Sequence, residues 1–162
     1  MNVVQAVVGG RSVGTPGVPK LMEDVHKRYG KLPWAGLFDY PLRLAEQGFA
    51  VSPRMAASIA QNEQYLRRYP ATAAYFLPQG RPLAAGAVLK NPEFARSVRL
   101  LARSGSAPFY HGAPAQNMVN TVAAAADNPG RLAMADSSAF HTTQPIRTPN
   151  WPLVVRSTSR MM

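Results

Sequence analysis

The first clear pattern in the chain is a set of apolar residues at helical spacing, directly after a run of glycine and proline. The set comprises Val18, Leu21, Met22, Val25 and Tyr29. Acidic residues come early and basic residues four positions later, in the pairs Glu23–Lys27 and Asp24–Arg28, an order that favours a helix. Gly30 is a typical residue just beyond a helix C-terminus. The sequence therefore predicts an amphipathic helix over this stretch.

Two further helices follow in the pattern. The segment PWAGLFDYPLRLAEQGF is predicted to be helical, bent or entered near Pro41 and closed by Gly48. Ser52 is a favourable N-cap for the third helix, with Pro53 in its first position. Pro70 is expected to end that third helix. Its apolar stripe consists of Met55, Ile59, Leu66 and Tyr69.

The second half of the chain begins with a turn-rich link over residues 77–86. Asn91 and Pro92 then open a fourth helix, which Gly105 ends. Its apolar face carries Phe94, Val98, Leu101 and Ala102, and another face carries Arg96, Arg99 and Arg103. SAPFYHG is expected to be a short connector, residues 114–126 a fifth helix, and DNPG a turn.

Residues 137–162 differ from the rest of the chain. They contain four serines, four threonines, three prolines, three arginines and no acidic residue, and WPLVV is their one apolar block. This composition predicts a disordered tail without a fold of its own. We expect a domain boundary after Asp136, and a shift of reading frame just after the Asp136 codon would account for the abrupt change.

Composition limits the class of protein. A chain of 162 residues with 46% hydrophobic and 16% charged residues can bury a core as one domain. The absence of cysteine excludes a disulfide scaffold, thiol catalysis and cysteine-based metal sites. No apolar run approaches the roughly 18 residues needed to span a bilayer. The N-terminus lacks the basic and apolar regions of a signal peptide, so the sequence does not predict a localisation.

The net charge of +10 arises from 18 lysines and arginines against eight acidic residues. Such an excess can bind nucleic acid. The basic residues are spread along the chain, however, and neither an RNA-recognition signature nor a zinc finger is present. A nucleic-acid-binding protein is therefore an alternative that rests on charge alone, and no nucleic-acid partner is expected.

One stretch near the N-terminus, Gly10-Arg11-Ser12-Val13-Gly14, matches the G-x-S-x-G pattern of a hydrolase nucleophile. The valines before it, Val3, Val4, Val7 and Val8, suit a strand, but the prolines and glycine that follow oppose the helix that the nucleophile geometry requires. A phosphate-binding loop lacks its lysine and its glycine spacing. We interpret this stretch as a connection, and Ser12 as a non-catalytic residue.

No other pattern in the chain predicts chemistry. The histidines, His26, His111 and His141, stand 85 and 30 residues apart and show no metal-ligand spacing. His111 lies in a connector and is expected to be a surface or hinge residue. The acidic residues are scattered, which does not favour paired-carboxylate catalysis. The sequence therefore predicts no catalytic, cofactor-binding or metal-binding residue, and no cofactor.

Four segments, taken in order, resemble the large subunit of bacterial gamma-glutamyltransferases, the family also called gamma-glutamyltranspeptidases or glutathione hydrolases. They are VGTPGVPKLMEDVHKRYGKLPW, LAEQGFAVSP, LAAGAVLKNPEFARSVRLLARSGSAPFYHGAPAQNMV and PGRLAMAD. The resemblance covers about residues 5–136. After Asp136 the family continues with a Leu-Ala-x-Tyr type segment, where this chain has SSAFHTT.

The resemblance implies a mainly α piece of an αββα N-terminal nucleophile hydrolase. Such a proenzyme cleaves itself into a large and a small subunit and exposes a terminal threonine. The threonine attacks the gamma-glutamyl amide of glutathione, and the acyl group passes to water or to an acceptor amino acid or peptide. Bacterial members are periplasmic or secreted. In this family the glycine-proline-glycine loop connects an inner strand to a peripheral helix.

The residues that react in the family have no counterpart in this chain. The nucleophilic threonine lies beyond the matching region, and the arginine that binds the substrate carboxylate lies before it. The sequence therefore predicts an inactive fragment, with residues 1–136 as a partial large-subunit segment. A small helical protein-interaction module remains an alternative interpretation, besides the nucleic-acid-binding protein.

Overall fold

A computed structural model describes residues 7–126 and 128–139. The longer helices are α1 (Val18–Tyr29), α2 (Asp39–Gln47), α3 (Pro53–Gln61), α5 (Pro70–Phe76), α6 (Pro92–Ser104) and α8 (Ala113–Ala123). The short helices are α4 (Glu63–Leu66), α7 (Pro108–His111) and α9 (Met134–Ser138). Three 3-10 turns cover Gly10–Ser12, Ala35–Phe38 and Pro78–Gly80, and the strands are β1 (Phe49–Ala50) and β2 (Val88–Leu89). The expected mainly α composition is confirmed.

The first predicted helix and the bend before the second are confirmed. α1 begins with Pro19 in its first turn, and the backbone N–H of Gly30 donates to the carbonyl of His26 at its end. The second segment starts as the 3-10 turn Ala35–Phe38 and continues as α2, with Pro41 in the first turn of α2. Gly48 closes α2, as expected.

The third predicted helix is wrong in its length. The Ser52 hydroxyl accepts the backbone N–H of Met55 at 3.1 Å, so its start is confirmed. The helix stops at Asn62, however, whose side chain donates to the Ser58 carbonyl at 2.8 Å. Pro70 begins α5 instead of ending the third helix, because a proline without an N–H fits the first turn of a helix. The apolar stripe continues through Leu66 and Tyr69, so the spacing of apolar residues did not reveal the end of the helix at Asn62.

The two strands pair antiparallel, with Phe49 opposite Leu89 and Ala50 opposite Val88. A strand of two residues has no measurable alternation, and the sequence pattern did not predict this ribbon. The expected N-terminal strand is absent from the part of it that the structure describes. Val7 is helical, and Val3 and Val4 lie outside the described residues.

The hydrophobic core lies between α6, α2 and the 3-10 turn before α2. The side chains of Phe38, Val98 and Leu101 are buried there together. Trp34 packs edge-on against Phe38, with ring centroids 4.8 Å apart, and its indole N–H donates to the Leu101 carbonyl at 3.0 Å. Asn91 caps α6 by accepting the Phe94 N–H at 2.9 Å, which confirms the predicted start of this helix.

The C-terminal helices α7, α8 and α9 pack against one another. The expected connector SAPFYHG contains the one-turn helix α7, and the fifth helix, α8, ends at Ala123 instead of Ala126. α9 packs on both α7 and α8, and Ser137 is buried at this contact. The predicted boundary after Asp136 therefore falls inside α9. None of the helices within the described ranges is both long and apolar enough to cross a bilayer.

Candidate functional site

Ser12 does not have the geometry of a hydrolase nucleophile. It ends the 3-10 turn Gly10–Ser12, and its hydroxyl donates to the Gly9 carbonyl at 2.7 Å. The next helix starts at Val18, after a stretch of irregular backbone, so no helix N-terminus follows Ser12 directly. The structure agrees with the interpretation of this stretch as a connection.

The 3-10 turn Gly10–Ser12 packs against the C-terminal part of the chain. Gly10 is buried, and a Cβ at this position would lie 2.6 Å from the backbone nitrogen of Gly130. The backbone N–H of Arg11 donates to the Asn128 carbonyl at 3.1 Å. Glycine is therefore required at position 10 because two backbone segments approach closely there.

Tyr110 fixes the beginning of α1. Its hydroxyl donates to the Pro16 carbonyl and accepts the backbone N–H of Lys20 at 3.0 Å. The Lys20 N–H is one of the donors that a helix leaves unsatisfied in its first turn. The side chain of Tyr110 is buried, and burial raises the pKa of its hydroxyl. This phenol therefore caps α1 from a distant part of the chain.

Glu23 forms the second attachment of α1. Its carboxylate accepts the Lys27 ammonium at 2.7 Å, and it also accepts the hydroxyl and the backbone N–H of Ser106, the latter at 3.0 Å. The hydrogen bond from Lys27, and then those from Ser106, lower the pKa of Glu23 to about 2. The predicted Glu23–Lys27 pair is confirmed. The contact with Ser106 was not predicted, because no local pattern links residues so far apart in the sequence.

The turn before Ser106 is shaped for the same contact. Gly105 has a φ of +68°, a conformation that side chains other than glycine rarely adopt. A Cβ at Gly105 would also lie 2.8 Å from a carboxylate oxygen of Glu23. Because Gly105 has no side chain, the carboxylate of Glu23 packs directly against the backbone of this turn.

These polar contacts join α1 to residues that are distant in the sequence. The Ser106 hydroxyl is buried and donates to the carboxylate of Glu23, whose lowered pKa makes it a weak base. His26 contacts the Leu32 carbonyl through Nε2 at 2.9 Å, and His111 is exposed at the end of α7. Across the described ranges, no three histidine or acidic side chains gather as a metal site would require. That no residue is catalytic or ligand-binding stays a prediction.

A cleft with a volume of about 330 Å³ opens between α1 and α6. Its walls are apolar side chains with one serine, Ser97. The lining residues are Val18, Pro19, Met22, Phe38, Pro41, Phe94, Ser97, Val98, Leu101 and Phe109. Its floor is the hydrophobic core itself, because Phe38, Val98 and Leu101 belong to both.

The family profile described as gamma-glutamyltranspeptidase matches residues 1–150. The chain is 34% identical to the acylase ACY 1 proenzyme of Pseudomonas sp. (strain SE83), over 88% of this chain and 25% of that protein. It is 32% identical to glutathione hydrolase 3 of Arabidopsis thaliana, over 71% of this chain and 18% of that protein. The chain thus spans a quarter or less of the length of these relatives.

The same similarity is present in the fold. The solved gamma-glutamyltranspeptidase of Helicobacter pylori superimposes with a TM-score of 0.80 at 22% identity, and the match covers 87% of this chain and 40% of that one. At this identity the likeness concerns the fold alone.

Proposed function

This chain belongs to the gamma-glutamyltranspeptidase family, and we propose that it is one part of an enzyme that cleaves gamma-glutamyl amides such as that of glutathione. The acyl group would pass to water or to an acceptor amine. The family match over residues 1–150 carries this proposal. A different amide donor is the alternative, because one of the relatives is named an acylase.

The part that this chain supplies is a scaffold. The polar groups of Glu23, Ser106 and Tyr110 hold α1, and the Ser12 hydroxyl donates to a backbone carbonyl. The threonine nucleophile and the arginine for the substrate carboxylate would come from other parts of the enzyme, as the family resemblance implies. The pairing of a large with a small subunit, and the binding of glutathione and acceptors, are properties proposed for that whole enzyme.

The boundary after Asp136 stays a prediction. α9 runs across it, and the family match continues to residue 150. We propose that the chain leaves the family pattern somewhere in residues 137–162 and that a shift of reading frame causes the departure. Translating the downstream DNA in the other two frames tests this. If neither frame resumes with a Leu-Ala-x-Tyr type segment and a threonine-headed small subunit, the proposal is wrong.

The scaffold role is tested by assaying the purified 162-residue chain with gamma-glutamyl-p-nitroanilide. We expect no release of p-nitroaniline above the buffer rate, because the chain lacks an activated nucleophile. A Ser12→Ala variant serves as the matched control and should behave identically. Turnover by the chain that disappears in Ser12→Ala would contradict the proposal and assign a catalytic role to Ser12.

A further inference from the structure

The 3-10 turn near the N-terminus is bonded to the turn that follows α8. The backbone N–H of Arg11 donates to the carbonyl of Asn128 at 3.1 Å. A Cβ at Gly130 would overlap the carbonyl of Gly10, so the two backbones are in direct contact there. We call this contact the first clasp. It holds the chain just before the irregular stretch that leads to α1.

A second clasp holds the chain just after that stretch. It consists of two attachments already described. The hydroxyl of Tyr110 bonds to the Pro16 carbonyl and to the Lys20 N–H, and the carboxylate of Glu23 bonds to Ser106. The segment from the turn to α1 is therefore held on both sides of residues 12–15.

Both clasps are received by the same group of helices. α7 packs against α8, and α9 packs on both of them. Lys20 and Tyr110 lie 90 positions apart in the sequence, whereas only residues 12–15 separate the two clasps. Once one clasp is closed, the other has a much shorter loop to close, and a shorter loop loses less conformational entropy. Each clasp thereby raises the effective concentration of the groups that form the other.

We propose that the two clasps act as one coupled clamp, through which the helices α7–α9 fix the path of residues 12–15, and that opening either clasp weakens the other. Such a coupling is reciprocal, because it is a free energy shared by both contacts. The clamp is a conformational device of this chain and does not depend on the proposed function.

Amide hydrogen exchange of the full 162-residue chain, resolved by residue with NMR, tests the coupling. Gly130→Ala should open the first clasp, because its Cβ would overlap the opposite backbone. Gly14→Ala is the matched control, since a Cβ at Gly14 would have no atom within 4 Å. The amides of Lys20 and Ser106 report on the second clasp. We expect their exchange to be about fivefold faster or more in Gly130→Ala, and unchanged in Gly14→Ala.

The reverse experiment opens the second clasp and observes the first. The double variant Glu23→Gln/Tyr110→Phe weakens the carboxylate contact and removes the phenol hydroxyl, and the amide of Arg11 is the reporter. Reciprocity predicts faster exchange at Arg11. Tyr40→Phe/Glu93→Gln, which alters one exposed tyrosine and one exposed carboxylate, should leave the exchange of Arg11 unchanged.

A milder variant keeps the test informative if Gly130→Ala does not fold. Asn128→Gly removes the side-chain amide that donates to the Val8 carbonyl at 3.3 Å. Glycine readily adopts the φ of +62° found at this position, so the turn itself is preserved.

Two results would overturn the inference. In the first, Gly130→Ala or Asn128→Gly accelerates exchange at Arg11 but leaves both reporters of the second clasp unchanged, so the clasps are independent. In the second, the amides of α6 accelerate as much as those reporters, which assigns the effect to a general loss of stability. Acceleration of the second clasp with an unchanged α6 supports the coupled clamp.

Discussion

α6 and α1 are the two amphipathic helices with the clearest patterns, yet they are attached to the rest of the molecule by different forces. α6 packs Val98 and Leu101 into the core against Phe38, and Trp34 closes this contact from the side. α1 buries none of its own side chains and is held through the carboxylate of Glu23 and a capping hydroxyl from Tyr110. An apolar stripe in the sequence therefore does not tell whether the stripe is covered within the chain.

The difference has consequences for how each region responds to solution conditions. Apolar packing of the kind that holds α6 changes little with pH. The attachment of α1 includes an ionised carboxylate and several hydrogen bonds, so it should respond to pH and to single polar substitutions. Four experiments test this difference between α6 and α1.

The largest effect is expected from Leu101→Ala in the core. Removing a buried leucine side chain costs about 2–5 kcal/mol, through lost burial and the cavity that remains. Leu21→Ala in α1 is the matched control and should cost under about 1 kcal/mol, because Leu21 is 48% exposed. Urea unfolding followed by far-ultraviolet circular dichroism measures both. Equal losses for the two variants would remove the contrast between the regions.

A smaller, local effect is expected from Glu23→Gln. The substitution removes the charge that accepts from Lys27 and Ser106 but keeps one carbonyl acceptor, so we expect a loss of roughly 1.5–3 kcal/mol, the contribution of one hydrogen bond to a charged group. Amide hydrogen exchange should become faster in α1 and stay unchanged in α6. Glu93→Gln is the control, since the Glu93–Arg96 pair is exposed on both sides and surface pairs contribute little. Faster exchange in α6 of Glu23→Gln would show that the two regions are coupled.

The pH dependence of α1 follows from the same carboxylate. The pKa of Glu23 is about 2 in the folded chain against an ordinary 4.5, so between these values the unfolded chain binds more protons at this position. Its contribution to stability is therefore complete above pH 4.5 and is lost as the pH falls towards 2. Amide exchange in α1 should accelerate over this interval, after correction for intrinsic rates, relative to α6. The same acceleration in Glu23→Gln would assign the effect to another group.

The smallest effect is expected from Tyr110→Phe, which removes the hydroxyl between Pro16 and Lys20 but keeps the buried ring. The loss should be about 1 kcal/mol, the usual net contribution of a hydrogen bond. It should appear as faster exchange in the first turn of α1. Tyr40→Phe, at an exposed tyrosine, should leave the exchange unchanged. A loss confined to the last turn of α1 would contradict the capping role of Tyr110.

The local signals in the sequence predicted the ends of helices well where a specific residue caps them. Ser52, Asn91, Gly30 and Gly105 act within a few residues of where they stand, so the helix ends that they mark were correct. Pro70 misled the prediction, because proline is equally suited to the first turn of a helix and to the residue after its end. The ribbon of β1 and β2 was missed because strands of two residues have no periodicity.

The amphipathic helices, their caps, the Glu23–Lys27 pair and the family could be predicted from the sequence, because each depends on neighbours along the chain or on motifs that can be read in order. Three features became visible only in the folded chain: Glu23 accepts from Ser106, Tyr110 caps α1, and α6 is covered while α1 is exposed. The contacts of Glu23 and Tyr110 join residues more than 80 positions apart. Their partners are set by how the helices pack in space, and no local spacing in the sequence records that arrangement.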